Sequence, residues 1–110
     1  MPANKSILKG VRASGGRVRG RVLIVESPAR PVKAKPGSII VASFTTPVIA
    51  AALVAAAGII TERGGLTAHA AIIAREFNVP CLVGVKDAMK ILKNGQLIIL
   101  DADKGCIYEA

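Results

Sequence analysis

A lone histidine, His69, is the side chain of this 110-residue sequence whose surroundings suit group transfer. It stands in the run Thr61-Glu62-Arg63-Gly64-Gly65-Leu66-Thr67-Ala68-His69-Ala70-Ala71-Ile72-Ile73-Ala74-Arg75. The apolar residues before this run read as a buried strand and the two glycines as a turn. The Ala/Ile pattern after it reads as a helix with the histidine in its first turn. The first N–H groups of a helix lack intrahelical partners and the peptide dipoles make that end mildly positive, so an anion is favoured there. Imidazole ordinarily titrates near ~6.5 and is then largely neutral and nucleophilic at neutral pH. Ala68 and Ala70 leave the ring approachable, and Gly64 and Gly65 permit a backbone path that keeps the space beside it open. Thr67 supplies a hydroxyl either to the helix end or to a phosphoryl oxygen. These residues suit a nitrogen that accepts a phosphoryl group next to donors that stabilise it. Residue types alone equally allow a histidine that merely fills a surface or core position.

Other chemistries find little support. There is no second histidine, and Cys81 and Cys106 are far apart with no CxxC spacing, so no metal site is expected. Two buried thiols in a reducing, cytoplasmic setting are the expectation for the cysteines. No Walker loop or GxGxxG occurs, which argues against a self-contained nucleotide site, and no Ser-His-Asp arrangement follows from the spacing. The chain opens without a charged segment leading into an apolar one, so no secretory signal is expected. The longest apolar run, residues 47–60, falls short of the ~18–20 residues a membrane span needs.

The elements that must position His69 follow from composition and pattern. Hydrophobic residues make up 52% of the chain but aromatics only 3%, so the core is built from Ala, Val, Ile and Leu. Arg17 to Val25 and Ser38 to Ala42 read as strands, separated by a loop holding Pro28, Pro31 and Pro36. Thr46 and Pro47 look like the capped start of a helix running to about Ala57 and stopped by Gly58. Ile59 to Thr61 reads as a strand, residues 67–77 as a second helix ended by Asn78 and Pro80, and Cys81 to Val85 as another strand. A short helical turn over Ala88 to Leu92, capped by Asp87, precedes two closing strands, Gln96 to Leu100 and Cys106 to Glu109. The expectation is one α/β domain over residues 1–110, with a mixed sheet and two to three helices.

Charge is segregated. Residues 1–35 carry nine Lys/Arg against Glu26 alone, whereas residues 36–110 carry six of each sign. Such a basic half can mark a nucleic-acid surface, but the stacking aromatics of single-strand binders are missing. Arg17, Arg19 and Arg21 alternate with Val18, Gly20 and Val22 as the solvated face of a half-buried strand does. The balance is against nucleic acid.

The segment Gly64-Gly65-Leu66-Thr67-Ala68-His69-Ala70-Ala71-Ile72-Ile73-Ala74-Arg75 resembles the phosphohistidine motif of the phosphoenolpyruvate-utilising enzymes. These include phosphoenolpyruvate synthase, pyruvate phosphate dikinase and Enzyme I of the sugar phosphotransferase system. The likeness extends through residues 36–42 with Thr45-Thr46-Pro47, through residues 76–84, and through the closing stretch from Asn94 to Gly105. It departs at Ser14-Gly15-Gly16, where the family often has Ser-Pro-Gly, and at Val48, where it often has an acidic residue. The resemblance implies a swivelling β/β/α domain with His69 as the phosphorylated nucleophile. Gly64, Gly65 and Thr67 would support the phosphoryl group, with Arg75 as a weaker candidate. It also implies a phosphotransferase component that is incomplete alone. Mg and ATP or phosphoenolpyruvate would sit on partner domains or subunits that bind nucleotide and phosphoenolpyruvate/pyruvate. A pyruvate-binding barrel takes ~250 residues, which this chain lacks. Two other readings compete with the carrier: a non-catalytic swivelling module and a basic nucleic-acid-binding protein.

Overall fold

The computed structural model describes residues 6–65 and 68–110. Its centre is a parallel group of strands: β3 (Arg17–Val25), which turns apolar only from Val22, and the continuously apolar β4 (Ser38–Ala42), β5 (Gly58–Thr61) and β6 (Cys81–Val83). Every residue of β4, β5 and β6 is buried. Runs without polar alternation are what a parallel sheet covered on both faces requires. Ile40, Ala42, Ile59 and Cys81 point to one side, where they pack against α1 (Ala50–Ala55) and α2 (His69–Phe77). Ile39, Val41, Ile60 and Leu82 point to the other, into a second core shared with Val22, Ile98, Leu100 and α3 (Ala88–Ile91).

Antiparallel strands complete the sheet. β7 (Leu97–Asp101) pairs with β3, β8 (Cys106–Glu109) with β7, and β1 (Leu8–Lys9) with β8, while β2 (Val11–Ser14) pairs with β6 at the far end. The order is β1-β8-β7-β3-β4-β5-β6-β2. Only Gly10 separates β1 from β2 in the chain, so one short segment spans both outer positions and draws the sheet round on itself. Its N–H donates to the Gly105 carbonyl at 3.0 Å. Closure of this kind leaves few unpaired edge groups to recruit another strand. The fold is the expected α/β class with a mixed sheet and, among the described residues, three α-helices.

Several local expectations need correction. The first helix opens with a 3₁₀ turn, Pro47–Ile49, with Pro47 in the expected first position. The Thr46 hydroxyl does not cap it but donates to the Pro28 carbonyl. The helix stops at Ala55 and Gly58 begins β5 rather than ending α1. A Cβ at Gly58 would lie 2.7 Å from Leu100 Cδ2, so close strand packing, not helix termination, selects this glycine. Asp87 occupies the cap position of α3 in a left-handed conformation (φ 62°) without a side-chain cap bond. β6 ends at Val83, short of Val85. Cys81 is buried as expected, but Cys106 is only partly so, its Sγ donating to the Lys104 carbonyl at 3.5 Å. No helix among the described residues is long and apolar enough to cross a membrane.

Three predictions test this packing. A Cβ at Gly20 would collide with the Gly37 carbonyl oxygen where β3 meets the start of β4. Gly20→Ala should therefore lower stability by about 2–3 kcal/mol, read as a shifted urea midpoint at constant slope. Burial pushes the Cys81 thiol up from 9.0 to about 12, with Arg75 opposing the shift. Iodoacetamide should thus modify Cys106 in the native protein and reach Cys81 only after denaturation. The unfolded thiol ionises above its ordinary value of 9.0 while the native one keeps its proton until about 12. Native stability should accordingly fall as pH rises through that interval, and Cys81→Ala should flatten the decline in pH-dependent urea titrations.

Candidate active site

The site lies at the carboxyl ends of β4 and β5, the end of a parallel sheet where open loops converge. Ala42 and Thr61 are register partners at the last step of the two strands. Pairing then continues into the loops: Glu62 N–H donates to the Ala42 carbonyl at 3.1 Å and Arg63 N–H to the Ser43 carbonyl at 2.8 Å. The Arg63 guanidinium rests over the Phe44 ring, 5.7 Å from its centroid. The loop after β4 and the loop after β5 are thereby laid side by side, although their residues are far apart in sequence.

The second loop must turn sharply to start α2. Gly64 makes that turn at φ +105°, a region that costs other residues about 1–2 kcal/mol, and a Cβ there would press on Ala68 Cβ at 3.0 Å. Gly65 has nothing within 4 Å of where a Cβ would stand, so the space beside it is open. Its carbonyl accepts from Ala68 N–H at 3.1 Å. Ala68 occupies the N-cap position with extended backbone and no side-chain cap bond, and α2 begins at His69 itself. The helix thus starts two residues later than the sequence pattern predicts. Thr67, expected to support a phosphoryl group, lies outside the described residues.

The ring of His69 is half-buried, and its Nδ1 is 2.9 Å from the Thr45 hydroxyl. That contact engages one edge of the ring, and Nε2 lies on the other. Glu62 is turned elsewhere, one carboxylate oxygen accepting from Met89 N–H at 3.0 Å. Phe44, Val48 and Ile72 are exposed on the loop after β4, the 3₁₀ turn and α2, with Ile72 on the same helix face as His69. Exposed apolar residues therefore flank the elements that carry the ring.

Of the residues singled out from sequence, His69, Gly64 and Gly65 come together. Arg75 does not join them. It sits six positions after His69, about 9 Å along the helix axis. Its Nη1 donates to the Ala13 carbonyl at 3.4 Å, and the Ser14 hydroxyl donates to the Ala74 carbonyl at 3.3 Å, so this end of α2 is fastened to β2. The residue that sequence reasoning missed is Thr45. The stretch Thr45-Thr46-Pro47 reads as an approach to a helix, and nothing local points from it to a histidine in another loop. Only the side-by-side placement of β4 and β5 makes that contact predictable. Among the described residues no group of three or more metal-ligating side chains occurs.

Comparison with known proteins places this geometry in context. The family model described as "PEP-utilising enzyme, mobile domain" matches residues 34–105. A probable phosphoenolpyruvate synthase of Archaeoglobus fulgidus is 44% identical over 105 residues, covering 96% of this chain but 14% of that protein. The chain thus spans about a seventh of the length of that relative. Among solved structures, a solution structure of Enzyme I aligns with TM-score 0.58 and 29% identity over 71% of this chain and 32% of the other. Aconitase X of Thermococcus kodakaraensis aligns with TM-score 0.72 over 94% of this chain and 97% of its own, but at 20% identity it shows a shared fold and nothing more. The matched segment contains the glycine turn, His69 and the Thr45 loop together, and the chain belongs to the phosphoenolpyruvate-utilising enzyme family as its mobile domain.

Proposed function

We propose that this domain is a phosphohistidine carrier, with Nε2 of His69 taking a phosphoryl group from one partner site and delivering it to another. The observation that carries the reading is the 2.9 Å contact between Thr45 Oγ1 and His69 Nδ1 at the start of α2. When Nδ1–H donates to the threonine, the lone pair lies on Nε2. The ring is then held in the tautomer and orientation that attack requires.

In the first transfer the Nε2 lone pair attacks phosphorus and an N–P bond forms. The bond from phosphorus to the donor's bridging oxygen breaks, and that oxygen leaves with the electron pair. In the second, an acceptor oxygen attacks the same phosphorus and the N–P pair returns to Nε2. Phosphoryl transfer gains chiefly from in-line positioning and from neutralising the equatorial oxygens. Here the N–H groups of the first turn of α2, which a helix start leaves without intrahelical acceptors, and the open space at Gly65 serve those oxygens. Thr67 belongs to the same support by its place in the motif. Arg75 acts at a distance, by fastening α2 to β2.

The remaining parts belong to partners. Donor and acceptor are a nucleotide such as ATP and a phosphoenolpyruvate/pyruvate pair, held on other domains or subunits in the cytoplasm. Mg²⁺ accompanies the nucleotide there, where it neutralises phosphate charge. A phosphoenolpyruvate synthase-type phosphotransferase is the enzyme this composition fits.

With partner domains and labelled phosphoenolpyruvate or ATP supplied, the chain should acquire an acid-labile, base-stable phosphate that is lost in His69→Ala. Label retained in that variant overturns the reading, as does an intact partner reaction with His69→Gln. Thr45→Val removes the ring's partner at nearly constant volume and should slow phosphorylation about tenfold or more with little change in melting temperature. Gly64→Ala should cost about 1–2 kcal/mol in denaturant titration and slow the transfer, whereas Gly65→Ala should leave stability unchanged.

A further inference from the structure

A second feature stands apart from His69. Along β3 run two adjoining cavities that share Asn94. The larger, about 630 Å³, is lined by Ile24, Val25, Val32 and Met89 together with Glu26, Arg30 and Lys93. The smaller, about 230 Å³, is lined by Arg21, Lys33, Lys35 and Ser38. Ser38 begins β4, so the small cavity opens at the end of the parallel sheet opposite to His69.

The smaller cavity is electrostatically one-sided. No acidic side chain lines it, and neither Arg21, Lys33 nor Lys35 pairs with a carboxylate among the described residues. Elsewhere the basic half does find partners, with Arg12 against Asp103 at 3.4 Å and Arg17 against Asp101 at 4.0 Å. Glu26, at the larger cavity, is the one acid along the pair. Clustered cations without counter-charge repel one another, and an anion seated between them relieves that repulsion.

The walls are also held in place. Arg21 Nη1 donates to the Gly95 carbonyl at 3.0 Å, which aims the guanidinium while leaving its other donors available. The turn carrying Gly95 is zipped to β3 by Gly95 N–H to the Val22 carbonyl and Val22 N–H to the Gln96 carbonyl, both 2.8 Å. Asn94 accepts from Ile24 N–H through Oδ1 at 3.0 Å, so its amide NH₂ is left as a donor at the junction of the cavities.

We infer that this groove binds an organic phosphate: an apolar body in the larger cavity and a di- or triphosphate among Arg21, Lys33 and Lys35. The larger depression, about 630 Å³ and open to solvent, has room for a small organic group laid along the surface. Met89 gives its floor an adaptable surface suited to a flat heterocycle. Arg21, Arg30 and Lys33 precede the segment matched by the family model, whereas Lys35, Met89 and Asn94 lie within it, and none of them belongs to the Gly64–Arg75 stretch around His69.

The test is titration of the full chain with ADP and, separately, with inorganic pyrophosphate, followed by amide NMR shifts at low ionic strength. ADP should give saturable shifts confined to residues 21–27, 30–38, 89 and 93–95, weakened by added salt and unchanged in His69→Ala. A Lys33→Gln/Lys35→Gln double variant, altered only at exposed positions, should bind ADP about tenfold more weakly at unchanged melting temperature. Pyrophosphate, lacking the organic body, should bind more weakly than ADP. Shifts that do not saturate, that centre on residues 63–72, that persist undiminished in the double variant, or that pyrophosphate reproduces at equal affinity would each overturn the proposal.

Discussion

The parallel pairing of β4 with β5 is the constraint on which the site rests. Thr45 and His69 are 24 positions apart, on loops that also touch through the Arg63 guanidinium over the Phe44 ring. They meet because Ala42 and Thr61 end their strands at the same level and because two further backbone bonds carry the ladder into the loops. The apolar burial that stabilises the four central strands is therefore also what sets the distance from hydroxyl to imidazole. Core stability and site geometry are one problem in this molecule.

The strands and the helix that carry His69 were legible because each is written in a strong local pattern: unbroken Ile/Val runs for β4 and β5, and an Ala/Ile periodicity for α2. Boundaries failed where tertiary contacts overrode local signals. Gly58 looks like a helix stop, yet it is glycine because β5 passes close to Leu100 and Val18. Thr46 looks like a cap, yet its hydroxyl reaches the Pro28 carbonyl in a preceding loop. Thr45 escaped notice for the same reason on a larger scale, since its partner lies in another loop and only the sheet order brings the two together. Arg75 reads differently in sequence and in structure. Its place in a recognisable motif suggested chemistry, while helix geometry carries it away from the ring and toward β2.

The segregation of charge seen in the sequence acquires a location in the fold. Arg17, Arg19 and Arg21 form the exposed face of β3, and the prolines of the following loop keep Arg30, Lys33 and Lys35 beside it. His69 lies across the β4–β5 junction from this basic strip, at a face carrying exposed Phe44, Val48 and Ile72. The two surfaces differ in chemistry and in position. An anion attracted to the basic strip need not compete with whatever approaches the imidazole.

A carrier of the proposed kind faces a geometric restriction that this site makes concrete. The Nδ1 edge of the ring is closed by Thr45, so donor and acceptor must both reach Nε2 over the same apolar surroundings of Phe44, Val48 and Ile72. One nitrogen and one approach cannot serve two substrates at once. Transfer must then proceed in two separate half-reactions, with release of the first partner before arrival of the second. Binding at the rim has to be strong enough to exclude water from a labile N–P bond and weak enough to let go. Three partly exposed apolar side chains meet that balance better than a deep interface would, because each buries limited area.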